Sequence, residues 1–276
     1  MIRKLLTILI FFGGLSYHSI AQGDLLITPM RVVFEGNKQM TELNLMNTGT
    51  EIATYSVSFR QYRMTELGRL ELIEKPDTAQ MFADPYLRIF PRQVTLAPGE
   101  PQVIMLQCRR KPGMLAGEYR SHLWFRSEKN YKALGKVDSV MDANQLSVTV
   151  IPIFGMTIPV IIRSGTVNVI VTMSDLKLGI QNDSIQNLNL TLTRTGNIST
   201  YGDIKIEYIP KQGKPYQIGA SVGIGVYTNL HKRNVIVKIN NTSAKPLKEG
   251  KLKVQYVSNG EGKQVIYAEG ELEIRN

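Results

Sequence analysis

The side chains able to do chemistry in this chain are few, and their spacing forms no catalytic constellation. His122 and His231 each lack a second histidine or a cysteine at metal-ligand spacing, and His18 falls in an amino-terminal segment that reads as a removable leader. Cys108 is the single cysteine, which excludes an internal disulfide and a multi-cysteine metal site. The sequence contains no G-x-S-x-G elbow, no phosphate-binding loop and no dinucleotide-binding fingerprint. Gly223-Ile224-Gly225 has a strand-like setting with no helix after it, so it reads as structure. We therefore expect no enzyme, no cofactor and no metal. The remaining chemistry is that of the backbone itself, a row of N–H and C=O groups that a second chain can extend by strand addition.

One stretch is built for that. In Asn144 to Arg163 the even positions Leu146, Val148, Val150, Pro152, Phe154, Met156, Ile158, Val160 and Ile162 are all apolar. Side chains two apart share one face of a strand, so the pattern predicts one very long strand. Ser147 and Thr149 make its first half polar on the opposite face. Ile151, Ile153 and Ile161 make its second half apolar on both faces. A core strand near its end is expected, with an earlier half that offers an apolar row to something else. A long central strand of an ordinary sandwich would give the same periodicity.

The elements that would hold this strand are read as strands too. Residues 1–21 carry Arg3 and Lys4 before the apolar run Leu5 to Leu15 and end in Ser19-Ile20-Ala21, the pattern of a cleaved signal peptide too short to span a bilayer. Export and a periplasmic location are the expectation, with the mature chain starting at Gln22. The 33 Lys and Arg residues less Arg3 and Lys4, against 23 Asp and Glu, leave a net charge of +8. No basic run exceeds Arg109-Arg110-Lys111, so nucleic acid is not the expected partner, and a basic surface facing an anionic protein suffices.

Leu26 to Phe34 reads as the first strand, with Arg31 within it; Thr41 to Asn47 and Ala53 to Arg63 follow. Met64 to Ala83 is a long connection with a short hairpin around Gly68. Leu87–Phe90, Val94–Leu96, Gln102–Cys108 and a strand from Tyr119 to Phe125 come next. Tyr119, just after Gly117, has the setting of the tyrosine corner of immunoglobulin-like sandwiches. Ser164-Gly165 is the natural hinge. Beyond it six strand segments recur: Val167–Met173, Leu188–Thr193, Ile204–Ile209, Val235–Ile239, Lys251–Val257 and Val265–Ile274. The expected fold is all-β, two immunoglobulin-like β-sandwich domains with a cleft between them, residues 22–163 and 164–276 after the leader 1–21.

Thr28-Pro29-Met30-Arg31-Val32-Val33-Phe34-Glu35-Gly36, Asn47 after its strand, Leu87 to Pro91, Leu96 to Gln102, Gly117 to Arg120 and the strand ending Ile158-Pro159-Val160 together resemble the periplasmic pilus and fimbrial assembly chaperones, the PapD-like family. The resemblance covers residues 25–163; over 166–276 it is architectural. It implies a chaperone that stabilises incomplete immunoglobulin-like fibre subunits by lending them an edge strand, here residues 144–158. Leu146, Val148, Val150, Phe154 and Met156 would be the client contacts. It also implies a client carboxylate anchored in the cleft by an arginine on the first strand, which Arg31 matches, and by a lysine on the donor strand. Here the chain departs from the family: no basic residue lies between Asn144 and Ile162, and Pro159 stands near the lysine's position. Implied partners are a surface-fibre subunit, an outer-membrane usher and a self-capping second copy. The residues also fit an alternative, a structural two-domain component of a cell-envelope or secretion assembly whose long strand is paired internally.

Overall fold

The computed structural model describes residues 25–128, 154–181, 184–240, 247, 249–259 and 264–274. The leader and the stretch 129–153 lie outside them, and with it Leu146, Val148 and Val150. The first half of the chain supplies β1 (Leu25–Thr28), β2 (Val32–Phe34), β3 (Met40–Asn47), β4 (Ala53–Arg60), β5 (Tyr62–Met64) and β6 (Leu70–Leu72). It continues with β7 (Leu87–Phe90), β8 (Gln93–Leu96), β9 (Pro101–Cys108), β10 (Gly117–Ser127) and β11 (Gly155–Ser164). One sheet runs β1-β3-β9-β7 and the other β2-β11-β10-β4-β8. Their facing alternate residues, among them Phe34, Leu43, Leu45, Ile104, Leu106, Leu123, Phe125 and Ile158, make one core.

The second half supplies β12 (Val169–Gln181), β13 (Ser184–Gly196), β14 (Thr200–Pro210), β15 (Tyr216–Val226), β16 (Lys232–Lys238), β17 (Gly250–Ser258) and β18 (Ile266–Ile274). Sheets β12-β13-β16 and β15-β14-β17-β18 enclose a second core with Leu188, Leu192, Ile204, Ile206, Val237, Leu252, Val254 and Tyr256. The architecture is therefore all-β and two-sandwich, and the only helical element among the described residues is a single 3-10 turn at Asp84–Tyr86.

Two readings of the sequence need correcting. Leu26 to Phe34 is not one strand: after the cis Thr28–Pro29 peptide the chain crosses from the β3 side to the β11 side, so β1 and β2 belong to opposite sheets and Arg31 lies in the step between them. Proline supplies no N–H to a ladder, which makes this step a cheap place to change sheets. Of strand β15 the sequence reading has only the strand-like setting of Gly223-Ile224-Gly225. Its glycines at 219, 223 and 225 dilute the alternation by which strands are recognised, and one of them serves close approach: a Cβ at Gly219 would press on the Lys238 carbonyl. The expected hairpin is present as β5–β6, with Gly68 at φ +80° in its turn.

Asn47, buried at the end of β3, ties two loops together. Its amide donates to the carbonyls of Glu51 (2.7 Å) and Leu96 (2.9 Å) and its Oδ1 accepts from Gly49 N–H. Between β11 and β12 the chain turns at Gly165, whose φ of +63° and proximity to Ala116 leave no room for a side chain.

Candidate functional site

Strand β10 is buried on both faces along its first seven residues. One face supplies Tyr119, Leu123 and Phe125 to the first core. The other carries Glu118, Arg120 and His122 at alternate positions, and it is covered by the second sandwich. Glu118 accepts from the Ser199 N–H (3.0 Å), the Ser199 hydroxyl (2.7 Å) and the Arg120 guanidinium (2.6 and 3.0 Å). Arg120 also reaches the Ser199 Oγ at 2.6 Å and lies 3.8 Å above the Tyr227 ring. His122 Nε2 is 3.2 Å from the Tyr227 hydroxyl, with the edge of Tyr62 against its ring.

Burial by itself would raise the Glu118 carboxyl, but Arg120 and the two Ser199 donors outweigh it and hold the group below its ordinary range. The His122 imidazole is pushed down to about 3, chiefly by burial and secondly by the Arg120 charge, so it is neutral. The second sandwich presents Ser199 and Tyr227 on two loops fixed from beneath by one buried arginine. Arg194 donates to the carbonyls of Gly196, Ile198, Thr228 and Leu230 at 2.8–3.2 Å.

Beside this polar contact the two sandwiches leave a cavity of 220 Å³. Arg31 and Pro159 line it from the first sandwich, Met64 and Leu70 from the hairpin, and Tyr201, Tyr227 and Arg233 from the second. The Arg31 guanidinium sits 4.6 Å from the centre of the Tyr201 ring, and among the described residues it has no carboxylate at ion-pair distance. Burial first, then repulsion from Arg120, lowers its pKa to about 10, with Glu118 opposing. Arg163, on β11, is already matched: it bonds Glu35 and lies 3.9 Å from Glu118.

The hairpin forms one wall of the cavity by crossing to the other sandwich. Met64 is buried in the second core, its backbone clasped by Asn229 (N–H to Oδ1 3.4 Å, carbonyl from Nδ2 2.9 Å), and Asn234 N–H donates to the Glu66 carbonyl at 2.8 Å. The Arg233 guanidinium lies directly against Gly68.

Strand β11 pairs with β10 along all ten residues but with β2 only at Val160, Ile161 and Ile162. Residues 155–159 therefore have a ladder on one side alone among the described residues. The even row turns inward here: Met156 is half-buried against the first core, while Phe154 is 55% exposed. Trp124 on β10, paired with Thr157, brings its indole Nε1 against Gly155, where a side chain would strike it, and Arg60 stacks on the ring at 3.1 Å from a ring centre.

Of the site residues expected from sequence, Arg31 is in the cleft, Phe154 and Met156 are at the start of β11, and Leu146, Val148 and Val150 lie outside the described residues. Glu118, Arg120, Tyr201, Tyr227 and Arg233 were not foreseen. The sequence does carry one signal for them, since an acid and a base at alternate positions of an apolar strand need a partner on that face. Among the described residues no group of three His, Cys, Asp or Glu side chains could hold a metal, and Cys108 is buried at the end of β9. A larger open concavity of 580 Å³ lies at the end of the second sandwich; there Lys211 pairs with Glu249, and Lys251 with Glu271.

No protein-family model matches the sequence, and no curated protein does. Among solved structures, the chain is similar to the YadV chaperone (13% identity, TM-score 0.43, covering 91% of this chain and 100% of that one). It is similar to the CsuC–CsuE chaperone–tip adhesion subunit pre-assembly complex from archaic chaperone-usher Csu pili of Acinetobacter baumannii (14%, 0.45, 92% and 99%). It is also similar to the Pseudomonas aeruginosa CupB2 chaperone (10%, 0.44, 90% and 100%).

Proposed function

We propose that this chain is an exported chaperone that pairs with a fibre subunit whose sandwich lacks a strand, by β-augmentation along the open side of β11 and the residues leading into it. The observation that carries the reading is the single-sided ladder at residues 155–159, next to a cleft whose arginine has no carboxylate partner among the described residues. An extended strand with a free side supplies backbone pairing, and alternate side chains supply specificity. Phe154 is the exposed apolar residue at that edge, and Leu146, Val148 and Val150 continue its parity in the sequence. Arg31 offers the terminal carboxylate of the subunit a charge-assisted bond worth about 1.5–3 kcal/mol in a partly dry cleft. Arg31 lies in the step between β1 and β2 with its guanidinium on the Tyr201 ring, so Arg31→Ala is expected to spare both apolar cores.

Purification of the tagged protein from its own cell envelope, with mass spectrometry of what co-elutes near one to one, tests this. A stoichiometric partner one strand short of a sandwich is expected, with its yield cut by Val148→Asp and by Arg31→Ala. Recovery as a lone chain, or as a fixed part of a large envelope assembly, would overturn the reading in favour of a structural component.

A further inference from the structure

The cavity lined by Arg31 holds a second cation. Arg233 comes from β16, passes against Gly68 of the hairpin and lines the same 220 Å³ space. It donates to the Gly225 carbonyl, and its buried Nε has no partner. The neighbouring cations are matched, Arg120 by Glu118 and Arg163 by Glu35. Arg31 and Arg233 thus stand as two guanidiniums lining one space, and among the described residues neither has a carboxylate at ion-pair distance. Burial depresses both, Arg31 to about 10. Each buried cation is costly without an anion to match it.

The rest of the wall says what carries the anion. Met64, Leu70 and Pro159 are apolar, and Tyr201 and Tyr227 offer ring faces. The volume falls below the ~300–1,000 Å³ of pockets for drug-sized ligands. It fits a single apolar or aromatic end residue, and a guanidinium fork matches the geometry of its carboxylate. Gly68, at φ +80° in the hairpin turn, lets the Arg233 guanidinium lie against its backbone; a side chain there would be strained and would displace that guanidinium.

We propose that Arg233 is the second cation of this cleft, and that Arg31 and Arg233, one from each sandwich, together grip a chain-terminal carboxylate on an apolar or aromatic residue. This rests on the reading of the cleft as the place where a partner chain ends. It supplies from the second sandwich the charge that Pro159 does not provide on the strand.

Calorimetry with a short peptide ending in phenylalanine, compared as free acid and as amide, tests the pair directly. The full chain should bind the acid about 10- to 100-fold more tightly than the amide. Arg31→Gln and Arg233→Gln should each abolish most of that preference, and Arg233→Lys should restore part of it. A merely structural arginine would instead weaken acid and amide alike, with a matching fall in Tm, and that result would overturn the proposal. So would full acid preference in Arg233→Gln, or no acid preference in the unmutated chain. Co-purification separates the two readings: a native partner lost with Arg31→Ala but retained in full by Arg233→Ala would remove the role of Arg233 and leave strand donation standing.

Discussion

Ser199 gives both of its donors to Glu118, its N–H at 3.0 Å and its hydroxyl at 2.7 Å, across the boundary between two sandwiches and 81 residues of chain. The carboxylate is fully enclosed and holds Arg120 on its other side. The contact therefore joins the sandwiches through the Ser199 hydrogen bonds to a buried charge pair that lies wholly on β10.

Glu118→Gln leaves Arg120 buried without its counter-charge. Breaking a pair of this kind costs about 3–5 kcal/mol, which urea unfolding will read as a lowered midpoint. The folded carboxyl titrates below the ordinary 4.5, so its stabilisation is whole above that value and is lost as pH falls through the folded pKa. The variant should therefore lose less stability than the parent on acidification below about pH 4.5.

His122 acts earlier in an acid titration. Its folded pKa of about 3 lies below the ordinary 6.5, so the unfolded chain takes up a proton that the folded one refuses. Stability is intact above 6.5 and falls on acidification by up to about 1.4 kcal/mol per pH unit. His122→Gln keeps a donor toward Tyr227 and removes the titration; urea midpoints taken at about pH 7 and about pH 5 should differ less in the variant.

The clasp on the hairpin has its own signature. Asn229→Ala removes both bonds to the Met64 backbone and should cost about 1–3 kcal/mol. The hairpin carries Arg63 and Arg69, so trypsin should cut it faster in the variant, while sites within the β10–β11 ladder keep their protection. Unchanged cleavage would mean the hairpin is held by other contacts.

Gly155→Val tests the packing at the start of β11. The new side chain would strike the Trp124 indole, the single tryptophan of the chain, and lift it off Arg60. Intrinsic fluorescence should shift while far-ultraviolet circular dichroism stays unchanged.

Most of the fold was legible because alternation survives wherever one face of a strand is buried. β3, β4, β9 and the later part of β11 follow from Leu43/Leu45, Tyr55/Val57, Ile104/Leu106 and Ile158/Val160. The motif around Arg31 points to a position on the cleft, where its side chain lines the cavity, although its place in a step between sheets was not legible. The hidden features are those made by residues distant in sequence. Nothing near Arg233 hints at a cleft, because the element it faces is a hairpin some 165 residues earlier. Tyr119 also had a local signal, and its hydroxyl lies 3.4 Å from the Leu115 carbonyl, a long version of the expected corner bond.

The crossing hairpin imposes an order of assembly. Met64 and the residue that clasps it, Asn229, are 165 positions apart, whereas the eleven strands described in the first half are complete by Ser164. A chain emerging from its amino-terminal end can close the first sandwich while Met64 of β5 still has no second core to enter. The bonds from Asn229 and the approach of Arg233 can form only once the chain has been made that far. The cleft should therefore be the last part of the molecule to exist, and a chain stopped before β16 would carry a folded first sandwich with Met64 bare to solvent.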